Sequence, residues 1–136
     1  MANGGYHISN EEWERMEAEL QVLDEGLEQF ALKHGFEVDK KTKDFPTRCI
    51  RWKSGGVESL IQIYFADTPL PRLNLWICVS QDRERQRFWK RDTLRKEVQA
   101  SEIVDEFLAI LETGKRMMDQ WAARPEELEF ATNLQA

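Results

Sequence analysis

The sequence predicts an α+β fold: a long N-terminal helix, a four- or five-stranded antiparallel meander and a long C-terminal helix, with both helices on one sheet face. Three observations carry this. Apolar residues recur in steps of three and four from Trp13 to Phe30, the middle of the chain alternates with period two, and the helical period returns from Ile103 onward. A chain of 136 residues has the length of one domain. We take that domain as residues 1–136, with 1–9 and 126–136 as loose termini. A domain near this size buries roughly 68% of the surface its unfolded chain exposes, so it needs no disulfide or metal to hold it.

The first helix is expected over residues 10–34. Ser9 followed by Glu12 reads as a capping box, and Gly35 suits the left-handed position after the last turn. The apolar stripe of Trp13, Met16, Leu20, Leu23, Leu27 and Phe30 is also a heptad seam. Glu17, Glu19 and Asp24 flank it and would repel an identical parallel partner, so the seam is expected to pack on its own sheet.

Short strands follow. Phe36 to Lys40 is a brief candidate. Thr47 to Lys53 places Ile50 and Trp52 opposite Cys49, Arg51 and Lys53. Gly55-Gly56 is a hairpin signal, because paired glycines accept positive φ. Glu58 to Ala66 places Ile61, Ile63 and Phe65 opposite Leu60, Gln62 and Tyr64, and Pro69 and Pro71 must interrupt the ladder. Leu73 to Ser80 sets Leu75, Ile77 and Val79 against Asn74, Trp76 and Cys78. Arg87 to Asp92 reads as a further strand, since Phe88 and Trp89 lack apolar partners at helical spacing. The last helix is expected to start near Ser101 as N-cap. Its stripe holds Ile103, Phe107, Ile110, Leu111, Met117, Met118 and Trp121, and Val104 and Leu108 widen it.

Charge follows this architecture. Residues 1–42 hold four Lys/Arg and ten Asp/Glu, residues 43–100 hold twelve and seven, and residues 101–136 hold three and eight. The helices are acidic and the sheet region basic, within a chain of net charge −6. If helices cover one face, the other presents Arg51, Lys53, Gln62, Tyr64 and Trp76, beside the strand carrying Arg87, Lys90 and Arg91. The candidate binding residues are therefore Arg51, Lys53, Tyr64, Trp76, Arg87, Lys90 and Arg91. The competing reading buries Tyr64 and Trp76 in a second minor core.

Catalytic chemistry has little support. His7 and His34 lack an acid or nucleophile partner in the sequence pattern, and Gly114-Lys115 lacks the upstream glycine of a phosphate loop. Cys49 and Cys78 fit small packing residues, although Arg51 would lower the pKa of a neighbouring thiol. We expect no catalytic residues, no metal and no cofactor. Two cysteines without metal-ligand spacing, no leader-like N-terminus and no run of ~20 apolar residues point to a cytoplasmic, non-membrane protein. The expected function is non-catalytic binding of a protein partner, acidic in character, through the basic–aromatic sheet face. Single-stranded nucleic acid is the alternative occupant, disfavoured by the net charge. An enzyme or small-ligand carrier comes third. A homodimer would use a sheet edge or the exposed face.

Overall fold

The Ser9 capping box forms as the sequence requires. The Ser9 hydroxyl accepts from the Glu12 N–H at 3.1 Å, and Glu12 Oε1 accepts from the Ser9 N–H at 3.0 Å. The computed structural model describes residues 9–40, 46–65, 73–83 and 89–123. The helix that starts here does not run unbroken to residue 34. It is two helices, α1 (Asn10–Gln21) and α2 (Asp24–His34), separated at Val22 and Leu23. The Leu23 N–H turns back to the Leu20 carbonyl at 2.9 Å, a tightened three-residue turn. No glycine or proline announces the break. Gly35 ends α2 at φ 76°, and the Phe36 N–H bonds the Ala31 carbonyl at 2.8 Å.

The seam survives the break. Met16, Leu20, Leu23, Leu27 and Phe30 are all buried within the one chain, so it serves the protein's own core. One charged side chain lies beneath these helices. Arg48, 1% exposed, donates from Nη2 to Glu17 of α1 at 2.7 Å and from Nε to Asp24 of α2 at 2.8 Å. Burial works against its charge, yet the hydrogen bonds to Asp24 and Glu17 prevail and hold its pKa above the usual arginine value.

Strands β1 (Glu37–Asp39), β2 (Arg48–Ser54), β3 (Val57–Phe65), β4 (Leu75–Arg83) and β5 (Trp89–Val98) form one sheet in the order β1-β2-β3-β4-β5, each pair antiparallel. Gly55 and Gly56 close the β2–β3 hairpin with φ of 57° and 79°, as a type I′ turn demands of both central residues. Ile50, Ile61, Ile63, Leu75, Ile77 and Val79 are buried on the helix side. Trp52 is half-buried there, stacked flat on Phe36 with ring centroids 4.3 Å apart. Gln81 also points inward and donates to the Ser59 hydroxyl and the Met118 carbonyl, each at 2.9 Å.

Two strands outrun their expected ends, β4 at Ser80 and β5 at Asp92. The β4–β5 register slips twice, so Leu75, Ile77 and Cys78 stand opposite Val98, Arg95 and Thr93. Each slip adds one residue to β5, and these bulges erase the alternation that marks a strand. Leu94 and Arg95 consequently both line a hollow against Ala109, Ile110 and Thr113 of the last helix.

That last helix is also divided. Gln99, not Ser101, is its N-cap, in a capping box with Glu102. A short α3 (Ala100–Ile103) passes through a 3₁₀ turn (Val104–Glu106) into α4 (Phe107–Ala123). The 3₁₀ turn changes the angular phase. Val104 and Leu108 therefore leave the stripe and are 40% and 39% exposed, so the buried face is narrower than their hydrophobicity suggests. Glu19 of α1 accepts from the Ala100 N–H at 2.6 Å, and Glu112 of α4 bonds Lys33 at 3.1 Å and His34 at 2.9 Å. Burial raises the Glu112 pKa, but His34 and Lys33 outweigh it and hold the carboxyl below its usual range. The expected two-layer α+β architecture holds. The two segments read as loose termini, apart from Ser9, lie outside the described residues.

α4 passes close to the sheet at Gly114. A Cβ there would lie 2.8 Å from Leu94 Cδ1 and 3.1 Å from Val79 Cγ1. Gly114→Ala should destabilise the protein by about 1–3 kcal/mol through overpacking, against the usual gain from removing a helical glycine. Arg48→Met should destabilise by about 3 kcal/mol, because Glu17 and Asp24 lose the charge between them. Urea midpoints of the two variants against the parent check both values.

Candidate functional site

Directly paired residues in a sheet share a face, so the register defines the side opposite the helices. Across its middle run two rows. One is Glu37, Arg51, Leu60, Ser80 and Arg91; the other is Asp39, Cys49, Gln62, Cys78 and Thr93. Tyr64 pairs with Trp76 beyond one end, and Lys53, Glu58 and Asp82 make a further row beyond the other. Leu60, Gln62, Tyr64, Trp76, Cys78 and Ser80 are half-buried, while Glu37, Asp39, Arg51, Lys53, Arg91 and Thr93 are exposed. The face thus has an uncharged strip along β3 and β4 that ends in the Tyr64–Trp76 pair, with charged residues along its sides and at its other end.

At one end of the face the Tyr64 and Trp76 rings lie 6.4 Å apart, tilted by 39°. The Tyr64 hydroxyl meets Cys78 Sγ at 3.5 Å, and Cys78 Sγ meets Thr93 Oγ1 at 3.8 Å. The hydrogen bond to Cys78, then burial, pushes the Tyr64 phenol up to about 12, with Arg91 pulling the other way. Trp76 Nε1 is buried with no hydrogen-bond partner among the described residues. Beside Trp76, a hollow of about 440 Å³ is lined by Thr93, Leu94, Arg95 and Lys96. Tyr64 and Trp76 thus lie between full exposure and a sealed second core.

Arg51, Lys53, Tyr64, Trp76 and Arg91 are gathered on this one face. Lys90 is not with them. It stands opposite Gln81, which points into the helix layer, and its ammonium sits 5.3 Å from the Trp121 ring centroid of α4. Arg87 lies outside the described residues. Sequence reasoning also missed the acidic share of the face. Glu37 stands opposite Arg51, and Glu58 stands between Lys53 and Asp82. Both signs are present around the periphery. The pairing of β1 with β2, which brings in Glu37 and Asp39, was the missing step.

A second concavity, about 920 Å³, opens at the β1 edge between Gly35–Asp39, Arg51–Ser54 and Lys115 and Asp119 of α4. Its wall stacks His34, Phe36 and Trp52, with His34 and Phe36 centroids 5.5 Å apart. Its charged lining also mixes signs. Among the described residues no group of three or more His, Cys, Asp or Glu is placed to hold a metal ion, and no helix is long and apolar enough to cross a membrane. No family model, curated protein or solved structure matches the chain.

Arg51 does act on the Cys49 thiol as the sequence suggests, but burial is the larger influence and the thiol pKa is raised. Cys49 is therefore not an activated nucleophile. In the native protein, its alkylation rate should reach half-maximum at higher pH than in the denatured chain. Arg51→Ala should move that midpoint higher still. Mass spectrometry of the Cys49 peptide over a pH series reads both midpoints, independently of how accessible the sulfur is.

Proposed function

We propose that the protein is a non-catalytic binding module that engages other proteins through the sheet face opposite its helices. The observation that carries the reading is the anatomy of that face. Half-buried Leu60, Gln62, Cys78 and Ser80 run along β3 and β4 to the half-buried Tyr64–Trp76 pair at one end of the face, and charged residues flank this strip on β1, β2 and β5 and at its other end. Protein interfaces favour aromatic residues within an uncharged patch and polar residues at the rim. Charges of both signs restrict which partners can dock and set encounter rates more than affinity. An acidic partner remains compatible with Arg51, Lys53 and Arg91, provided its own surface accommodates Glu37, Glu58 and Asp82. The same acidic residues weigh against single-stranded nucleic acid, whose phosphates would meet them at every register. A cytoplasmic location belongs to the same reading.

Trp76→Glu places a charge in the aromatic pair of the face and leaves the helix-side core untouched. It should abolish capture of proteins that the parent retains from a lysate, with circular dichroism unchanged. Arg91→Glu should weaken the same capture and reduce its salt dependence. Unchanged capture by folded Trp76→Glu would refute the reading. Salt-dependent binding of a labelled single-stranded oligonucleotide, lost in Trp76→Glu, would favour the nucleic-acid alternative instead.

A further inference from the structure

The face has a symmetry that the arrangement of its charges makes useful. Glu37 and Arg91 occupy the two ends of one cross-strand row, Glu37–Arg51–Leu60–Ser80–Arg91, with Leu60 at its midpoint on the central strand. Consider a two-fold axis lying in the contact plane and parallel to β3. It carries β1 of one copy onto β5 of the other and preserves position along the strands. Glu37 of each copy then lies over Arg91 of its mate, and Leu60 lies over its own symmetry equivalent. By the same operation Lys53 of each copy lies over Asp82 of its mate and Asp39 over Thr93, while Glu58 faces its own equivalent on the axis with Lys53 beside it.

We infer that the chain forms a face-to-face homodimer, a second copy occupying the sheet face, with Glu37 of each protomer paired to Arg91 of the other. This rests on the reading of that face as a protein-binding surface and names its occupant. Two stacked sheets with strands aligned to within about 30° are a stable packing mode. Five strands at ~4.8 Å spacing and nine-residue central strands of roughly 30 Å give a face on the order of 600 Å² per copy, approaching the ~800 Å² of a standard interface. Neither edge competes. β1 is three residues long, and β5 is bulged twice, carries Lys90, Arg91, Asp92, Arg95, Lys96 and Glu97, and holds Glu97 at φ 54°. Short, bulged and charged edges resist strand-to-strand pairing. Isologous contact also explains the mixed signs, since a surface that binds itself must carry both halves of each ion pair.

Sedimentation velocity of the purified chain over a concentration series tests this. The parent should show a reversible monomer–dimer equilibrium. Glu37→Arg and Arg91→Glu should each raise the dimer dissociation constant at least tenfold, and the double reversal should bring it back to within about threefold of the parent. Leu60→Glu, at a half-buried position outside the core, removes the apolar contact on the axis and adds a second pair of facing carboxylates to that of Glu58, so it should yield a folded monomer. A parent that stays monomeric at 100 μM would overturn the inference. So would a dimer indifferent to both reversals, or a double reversal as weak as the single ones. Failure here leaves the broader reading standing if Trp76→Glu still abolishes lysate capture, whereas a monomeric parent together with unchanged capture by Trp76→Glu removes both.

Discussion

Arg48 organises the helix layer. A guanidinium only 1% exposed is costly unless its charge is matched, and the match comes from two different helices, Glu17 on α1 and Asp24 on α2. The two carboxylates lie on either side of the break at Val22–Leu23. Because Arg48 is the first residue of β2, the pair of helices is tied to the sheet at a fixed point along that strand. Apolar packing alone would fix the helices less sharply, since burial of Met16, Leu20, Leu27 and Phe30 is non-directional. Directional hydrogen bonds supply the discrimination that hydrophobic burial lacks.

The division of the sheet into two unlike faces follows. Every element with an apolar stripe is recruited to the same side, and the Gly114 approach of α4 leaves that side closely packed. The other face inherits the remaining alternation: Cys49, Arg51, Leu60, Gln62, Tyr64, Trp76 and Cys78. The acidic helices and basic sheet region of the primary sequence are thereby separated into layers. Part of that contrast is neutralised locally, as where Lys40 reaches Glu28 at 2.7 Å and Asp24 at 3.6 Å, and Arg95 reaches Glu106 at 3.0 Å. Such exposed pairs contribute little to stability.

The faces of β2, β3 and β4 were legible in the sequence because period-two alternation survives wherever one side is buried. The hairpin was legible because Gly55-Gly56 suits little else. What escaped detection shares a cause: it depended on a partner distant in sequence. The bulges of β5 are defined only against β4, so the sequence pattern ends the strand at Asp92, short of Leu94 and Arg95. The helix break is bracketed by residues that meet Arg48, which reads in isolation as one more basic residue. By charge Lys90 groups with Arg51 and Lys53, whereas its register opposite Gln81 places it against the helices beside Trp121. Glu37 and Asp39 became part of the candidate face only once β1 was paired. Local pattern thus defined the elements, and long-range pairing decided the composition of the surface.

The contact between Glu19 and the Ala100 N–H spans 81 positions, and those joining Lys33 and His34 to Glu112 span 79 and 78. Every strand pairing, by contrast, joins neighbours in the chain. During synthesis from the N-terminus, α1 and α2 emerge first, and each hairpin can close as soon as its second strand appears. The layer that covers β3 and β4 cannot be completed until α4 has left the ribosome. Until then Ile61, Ile63, Ile77 and Val79 are only partly sheltered. A chain whose sheet has paired before α4 docks would carry that sheet with half its cover missing, the state in which a chaperone or a second copy would find it most receptive.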